Sequence, residues 1–354
     1  MRKSRLWLNA LLVLLLAAPF TALADGDEWK TVEDDAFTFT EVRAGVWHAV
    51  GGGSVAAGSN GAVVVNERDV LVVDSNMTPS AARALLADLA KITDKPVRYL
   101  VNTHFHFDHT HGNEVFGPDV EIVAHEFTQR KVASGDTKRG RGYDTFIRSI
   151  PQAVEGMRAQ LDSLSAEDRA AMEQRMAFMM NLYEESEAVE LRAPTLALRQ
   201  AVTLYRGGRE IRLLHFGRGH TGGDVVVYLP AEKALISGDL LTAGLPYMGA
   251  AFVAEWVGAL DEVAALDLEV ILPGHGPAYA EVERVRHLQL YLIDLWQQSV
   301  KLHAAGMSAA EAATTVDLTS HATHFPQIDG PGASTDAMGR IWELLDAGYV
   351  QPAP

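Results

Sequence analysis

Cysteine is absent from this chain of 354 residues. Thiolates are therefore excluded as metal ligands, as nucleophiles and as the material of a disulfide framework. Any metal site must be built from imidazole and carboxylate. Positive charge is also scarce: 30 Lys and Arg stand against 46 Asp and Glu, a formal charge of −16. A surface of that sign repels phosphate backbones and argues against a nucleic-acid partner. The tract from Leu240 to Gly274 contains no Lys or Arg at all. Long apolar runs are limited to Leu6 to Ala18, broken by Asn9, which is short of the ~20 residues a membrane span needs. Arg2, Lys3 and Arg5 precede that run, and small residues from Thr21 to Ala24 follow it. A basic end, an apolar middle and an A-x-A-like cut site lead us to expect a secretory signal peptide over residues 1–24, leaving Asp25 first. The expected location is periplasmic or secreted, with no stable membrane insertion after cleavage. Oligomeric state has no signature in the sequence.

What is present reads as α/β. Gly61–Asn66 and Val70–Asp74 are β-branched runs separated by Glu67-Arg68-Asp69, a hairpin signal. Thr78-Pro79-Ser80 opens a helix with Ala82, Leu85, Leu86 and Leu89 at helical spacing. Lys95-Pro96 ends it, Val97 to Val101 reads as a buried strand, and Glu121 to Ala124 as another. A second half has a similar order: strand-like runs over 201–205, 211–216, 224–229 and 234–236, a helix over 256–266, and a strand over 270–272. Between the halves, about 127–198, lies an expected helical insertion, with Met172, Met176, Met179, Met180 and Tyr183 at helical offsets. Packing against the body explains most of that stripe; a lid of adaptable methionines is the functional alternative. Residues 281–354 read as a C-terminal helical extension packed on the same domain, 25–280.

The chemistry concentrates after the Val97–Val101 strand. His104-Phe105-His106-Phe107-Asp108-His109 packs four ligand-type side chains into six residues. Two His one residue apart in an extended segment project the same way and can reach one ion. A turn at Asp108 and His109 could direct those two toward a neighbouring ion. Further candidates stand in Gly-containing turns at strand ends: His220 in Gly219–Asp224, Asp239 in Ser237-Gly238-Asp239, and His275 in Pro273–Gly276.

H-x-H-x-D-H at 104–109, with His220, Asp239 and His275 following in order, resembles the metallo-β-lactamase superfamily. The resemblance implies a four-layer αββα sandwich with its site at the sheet edge, covering roughly residues 40–280. By motif match it implies that His104, His106 and His220 bind one metal and that Asp108, His109 and His275 bind a second. It places Asp239 between them, with Asp74 bracing the ligand loop. The implied cofactor is two Zn²⁺ per chain, with iron or manganese as other occupants. The Asp239 set is similar to the glyoxalase and lactone-hydrolase branches. Lactamase subclasses generally carry Cys or Ser near that position, and a basic anchor for a substrate carboxylate is missing from 240–274.

The function expected from this resemblance is hydrolysis of a small molecule: water activated by the metal pair attacks the carbonyl of an ester, lactone, thioester or amide. Asp108 is the candidate to orient that water, and Tyr247 a candidate oxyanion donor, its plain alternative being a packed loop aromatic. Other readings are β-lactam hydrolysis, an iron-dependent oxidoreductase like the persulfide dioxygenases, and a non-catalytic periplasmic metal-binding protein. His111, His125, His215, His321 and His324 read as structural or surface histidines. The basic cluster Arg130, Lys131, Lys138, Arg139 and Arg141 reads as a solvated loop, or as a guide for an anion if it folds over the site.

Overall fold

Apolar residues alternate between two cores along almost every central strand of the computed structural model, which describes residues 29–34 and 36–349. The expected signal peptide lies outside the described residues. The first sheet has eight strands in sequential order: β1 Lys30–Glu33, β2 Phe37–Arg43, β3 Val46–Gly51, β4 Gly61–Val65, β5 Val70–Val73, β6 Val97–Val101, β7 Glu121–His125 and β8 Leu196–Leu198. β1 to β5 pair antiparallel, and β5 to β8 run parallel. The second sheet is formed by β9 Ala201–Arg206, β10 Arg209–Leu214, β11 Val226–Leu229, β12 Ala234–Gly238 and β13 Val270–Pro273. Only β12 and β13 are parallel there.

The alternation explains the sandwich. Val64, Leu71 and Val73 point inward to meet Val227, Leu229, Ile236 and Leu272 of the facing sheet. Their neighbours Val63, Val70 and Val72 point outward and are covered by Ala81, Ala82, Leu85 and Leu89 of helix α1, Pro79–Ile92. Strands buried on both faces carry near-continuous apolar runs, as read in the sequence. On the far side, Val226, Tyr228, Leu235 and Ile271 are covered by helices of the second half and the C-terminal extension. The layers are thus helix, sheet, sheet, helix.

The remaining helices are α2 Phe107–Thr110, α3 Glu126–Ala133, α4 Arg141–Tyr143, α5 Ile150–Arg158, α6 Ala166–Ala188, α7 Val253–Ala264, α8 Arg284–Ala304, α9 Ala309–Thr315 and α10 Thr335–Asp346. Thr78 caps α1 through Ala81 N, and Ser308 and Glu311 form the capping box of α9. The methionine stripe of α6 packs inward: Met176 and Met179 are buried with Tyr143, Ile147 and Val154 against Met77 and Phe107. α6 is fastened to α1 by Glu185, whose carboxylate accepts from Ser80 N and Ser80 Oγ, both at 2.7 Å. α1 has no acid in its own first turn, so Glu185 complements its N-terminal dipole.

Three details differ from the sequence reading. The segment 127–198 ends in β8, a strand of the first sheet, because Leu196 to Leu198 pairs with Val123 to His125. Only Leu100 and Val101 of β6 are buried, its first three residues being partly or fully exposed. His215 lies beyond the end of β10 and stacks on His125, ring centroids 4.1 Å apart.

Candidate metal centre

Two of the parallel pairs, one in each sheet, end at one edge of the sandwich. β5 and β6 deliver Asp74 and the 104–109 loop, while β12 and β13 deliver Asp239 and the His275 turn. Backbone bonds tie the sheets together at this edge: Val225 N donates to Thr103 O at 2.7 Å and Asn60 N to Gly274 O at 2.8 Å. β6 ends at Val101, and the loop after it carries His104 and His106 into the single turn α2, which holds Asp108 and His109.

Two donor clusters result. One gathers His104, His106, His220 and Asp239; the other gathers Asp108, His109 and His275. In the first, His106 Nδ1 lies 3.0 Å from both His104 Nε2 and His220 Nε2, and Asp239 Oδ2 lies 3.4 Å from His220 Nε2. In the second, Asp108 Oδ2 lies 3.4 Å from His109 Nε2 and from His275 Nε2. Asp239 reaches across, 3.4 Å from His109 Nε2 and 3.2 Å from His275 Nε2. All seven residues named from the motif therefore meet in one place.

The bare donor set fits a cation. His109 Nε2 and Asp239 Oδ1 are buried without a hydrogen-bond partner. Burial holds the His104 imidazole well below its ordinary range, His106 down to about 4 and His220 to about 3, so these three are neutral and offer lone pairs. Burial would raise Asp108 and Asp239, but the imidazoles of His109 and His275 outweigh it and keep both well below the usual carboxylate range. Burial acts to lower His109 and His275 in turn. The facing carboxylates outweigh it, raising His109 well above its usual value and His275 to about 10. Three neutral imidazoles sit beside a compensated set of carboxylates and imidazoliums, and an ion in the second cluster would displace those protons.

Supporting contacts orient the donors. Asp74 Oδ2 accepts from His109 Nδ1 at 2.7 Å, and the same carboxylate accepts from Thr103 N and Thr103 Oγ1, both at 2.8 Å. Thr103 Oγ1 accepts in turn from His104 Nδ1 at 3.0 Å. Asp224 takes Thr221 N and Oγ1 and closes the turn that presents His220. Two glycines are sterically required: a Cβ on Gly274 would stand 2.1 Å from Asp239 Oδ1, and one on Gly238 2.5 Å from Thr103. Sequence reasoning missed several supports. Ser59 Oγ donates to Asp108 O at 2.5 Å, Asn60 Nδ2 to Pro273 O and Gly276 O, and His48 Nε2 to Pro273 O at 3.1 Å. Asn60 lay in a stretch legible only as a Gly/Ser loop.

Solvent reaches the centre from one side. His275 is 34% and Asp108 15% exposed, whereas His109 and His220 are fully buried. Around His106 stand Phe105, with ring centroids 4.8 Å apart, and Tyr247, at 5.8 Å; Phe146 lies 6.0 Å from Tyr247. Tyr247 Oη is buried and unpartnered, lying against Gly142 of the insertion. The basic cluster does not stand free over the site. Lys131 and Arg139 pair with Asp136, Arg130 with Glu126 and Arg141 with Glu343, while Lys138 donates to the carbonyls of Glu187 and Val189. His111 bridges to Thr137 of the insertion, and His321 pairs with Asp294.

Residues 56–275 match the family model of the metallo-beta-lactamase superfamily. The chain belongs to that superfamily. A linear primary-alkylsulfatase of Pseudomonas sp. (strain ATCC 19151) is 27% identical over 270 residues, 71% of this chain and 48% of the relative. The type 2 metallo-beta-lactamase of Bacillus cereus is 23% identical over 260 residues, covering 70% of this chain and 81% of that protein. This superfamily member thus spans about half the length of the alkylsulfatase it matches. Among solved structures, a double mutant of the sec-alkyl sulfatase PisA1 superposes with a TM-score of 0.61 at 14% identity, covering 89% of this chain and 51% of that one. The DIM-1 metallo-beta-lactamase gives 0.51 at 18% identity, covering 75% and 99%. These likenesses establish the αββα metallo-β-lactamase fold.

Proposed function

We propose that this chain is an exported dinuclear zinc hydrolase acting on a small-molecule ester, lactone, thioester or amide. The observation that carries the reading is the pair of donor clusters joined by Asp239, with His109 Nε2 and Asp239 Oδ1 buried and unsatisfied between them. His104, His106 and His220 would hold one ion, and Asp108, His109 and His275 the other, with Asp239 shared. A donor set of imidazole and carboxylate without thiolate suits zinc, and manganese or iron is the competing occupant. When bound, such a metal pair supplies activated water near neutral pH and a Lewis acid for the scissile group.

The chain's own residues supply the rest. Asp108, on the solvent side, is assigned to accept a hydrogen bond from the attacking water. Asp74 holds His109, and through Thr103 holds His104, with the Nε2 of each turned toward the other donors. Tyr247 walls the approach, and its unpartnered hydroxyl is the candidate donor to the developing oxyanion. Phe105, Phe146 and Tyr247 make that approach apolar beside the half-buried His106. Export rests on the basic, apolar and small-residue order of residues 1–24.

A second reading is sulfate-ester hydrolysis, supported by the alkylsulfatase likeness over 71% of this chain. The lactamase relative supports a β-lactam substrate, against which stands the lack of Lys or Arg in 240–274. The test is a screen of zinc-loaded protein on aryl esters, lactones, thioesters, alkyl sulfates and β-lactams, repeated with Asp108→Ala and Asp239→Ala. Turnover that is unchanged in both variants refutes the centre. Stoichiometric iron in protein purified without added metal, together with oxygen uptake, refutes the hydrolase.

A further inference from the structure

A cleft of about 320 Å³ lies apart from the donor clusters, between the loop that follows Asp239 and the C-terminal helices. That volume is at the lower end of the range for small-molecule sites, about 300–1,000 Å³. Leu241, Leu288 and Phe325 give it an apolar floor, and the stacked rings of His287 and His324, centroids 3.5 Å apart, give it a flat wall. One charged group in it lacks the partner its charge calls for. Tyr279, 5% exposed, is part of the lining. The Arg284 guanidinium lies 4.9 Å from the centre of the Tyr279 ring and donates Nη1 to Ala243 O at 3.0 Å. No ion pair engages Arg284 among the described residues, although the chain is strongly acidic.

We infer that this cleft binds a small organic monocarboxylate with an apolar body, at a site separate from the metal centre. A guanidinium fork matches the two oxygens of a carboxylate, and a charge-assisted bond of this kind is stronger than a neutral one. The apolar floor takes the body of the ligand. Glu281 and Glu283 at the exposed rim oppose a second negative charge, which selects a monocarboxylate over phosphate or sulfate. The cleft and the metal centre share one wall: Ala243, whose carbonyl holds Arg284, donates its own N–H to His275 O at 3.0 Å.

Benzoate is the probe, with benzamide and inorganic phosphate as controls, measured by calorimetry on the full chain, both zinc-loaded and EDTA-treated. Saturable benzoate binding is expected in both forms, with neither control bound. Arg284→Gln should weaken it about tenfold or more, the equivalent of one charge-assisted bond. His324→Ala, at an exposed position, should weaken it without disturbing the fold. Benzoate binding that disappears with EDTA belongs to the metal centre and overturns the proposal. So does binding unchanged in both variants, benzamide binding as tightly as benzoate, or no saturable binding at millimolar benzoate.

Discussion

Asp74 accepts a hydrogen bond from Nδ1 of His109 at 2.7 Å, and through Thr103 the same carboxylate also orients His104. One side chain that belongs to neither donor cluster thereby aims one imidazole of each. Asp74 has a positive φ of 60°, a conformation that Asp and Asn adopt more readily than most residues. Asp74→Asn therefore preserves the backbone while removing the charge. The expected outcome is zinc affinity lower by about 10- to 100-fold, measured by competition with a chromogenic chelator, with an unchanged circular dichroism spectrum.

Gly274→Ala tests the steric fit of the shared carboxylate. The new Cβ would sit 2.1 Å from Asp239 Oδ1 and 3.1 Å from His109 Cε1, so the Asp239 side chain must move. A displacement on the order of 1 Å at such a site costs about 10²-fold in rate. The expected result is that loss of kcat/KM on whichever substrate the screen identifies, with less than two zinc ions retained.

Removing metal should destabilise the fold, because the donors are scattered over 104–275 and converge only in the native state. At free zinc a hundredfold above Kd the linkage is about 3 kcal/mol. Differential scanning fluorimetry with EDTA, then with zinc restored, is expected to show a fall and a recovery of Tm. A Tm indifferent to both treatments would contradict an ion at this place.

Acid sensitivity is expected from His48. Burial lowers this imidazole to about 4, against a backbone bond to Pro273 O that favours the charged form. The unfolded chain, with an ordinary value of about 6.5, binds the proton first, so stability falls as pH drops through the window between about 6.5 and 4. Between pH 7 and pH 5 the contribution is about 2 kcal/mol, read from urea unfolding at the two values. His48→Gln, which keeps a donor for Pro273 O, should lose that share of the pH dependence.

Glu185→Ala should loosen the insertion. Its carboxylate ties α6 to the first turn of α1 through Ser80. A loss of about 1–2 kcal/mol is expected, with faster amide exchange over 166–188 in hydrogen–deuterium exchange and little change at 104–109.

Much of this architecture was legible from local pattern. Leu71 and Val73 against Val70 and Val72 already encode a strand buried on both faces. Thr78-Pro79-Ser80 encodes a helix start, and Ser308 and Glu311 encode a capping box. These signals depend on near neighbours in the chain, so a linear reading finds them. The support from Asn60 and Ser59 was illegible, because their partners Pro273 and Asp108 are far away in sequence and nothing in a Gly/Ser loop announces a donor. The pairing of β8 with β7 was hidden for the same reason: a strand of three residues has no period to read.

The sequence by itself determined the chemistry available: no thiolate, a chain of net negative charge, and seven imidazole and carboxylate donors in family order. Only the tertiary structure decided which nitrogen of each ring faces inward, that Asp239 reaches both clusters, and that solvent enters beside His275 and Asp108. Residue type sets what a side chain can donate or accept. Direction and burial come from the two parallel strand pairs that end at one edge, and strand register across a sheet is a long-range property no local window contains.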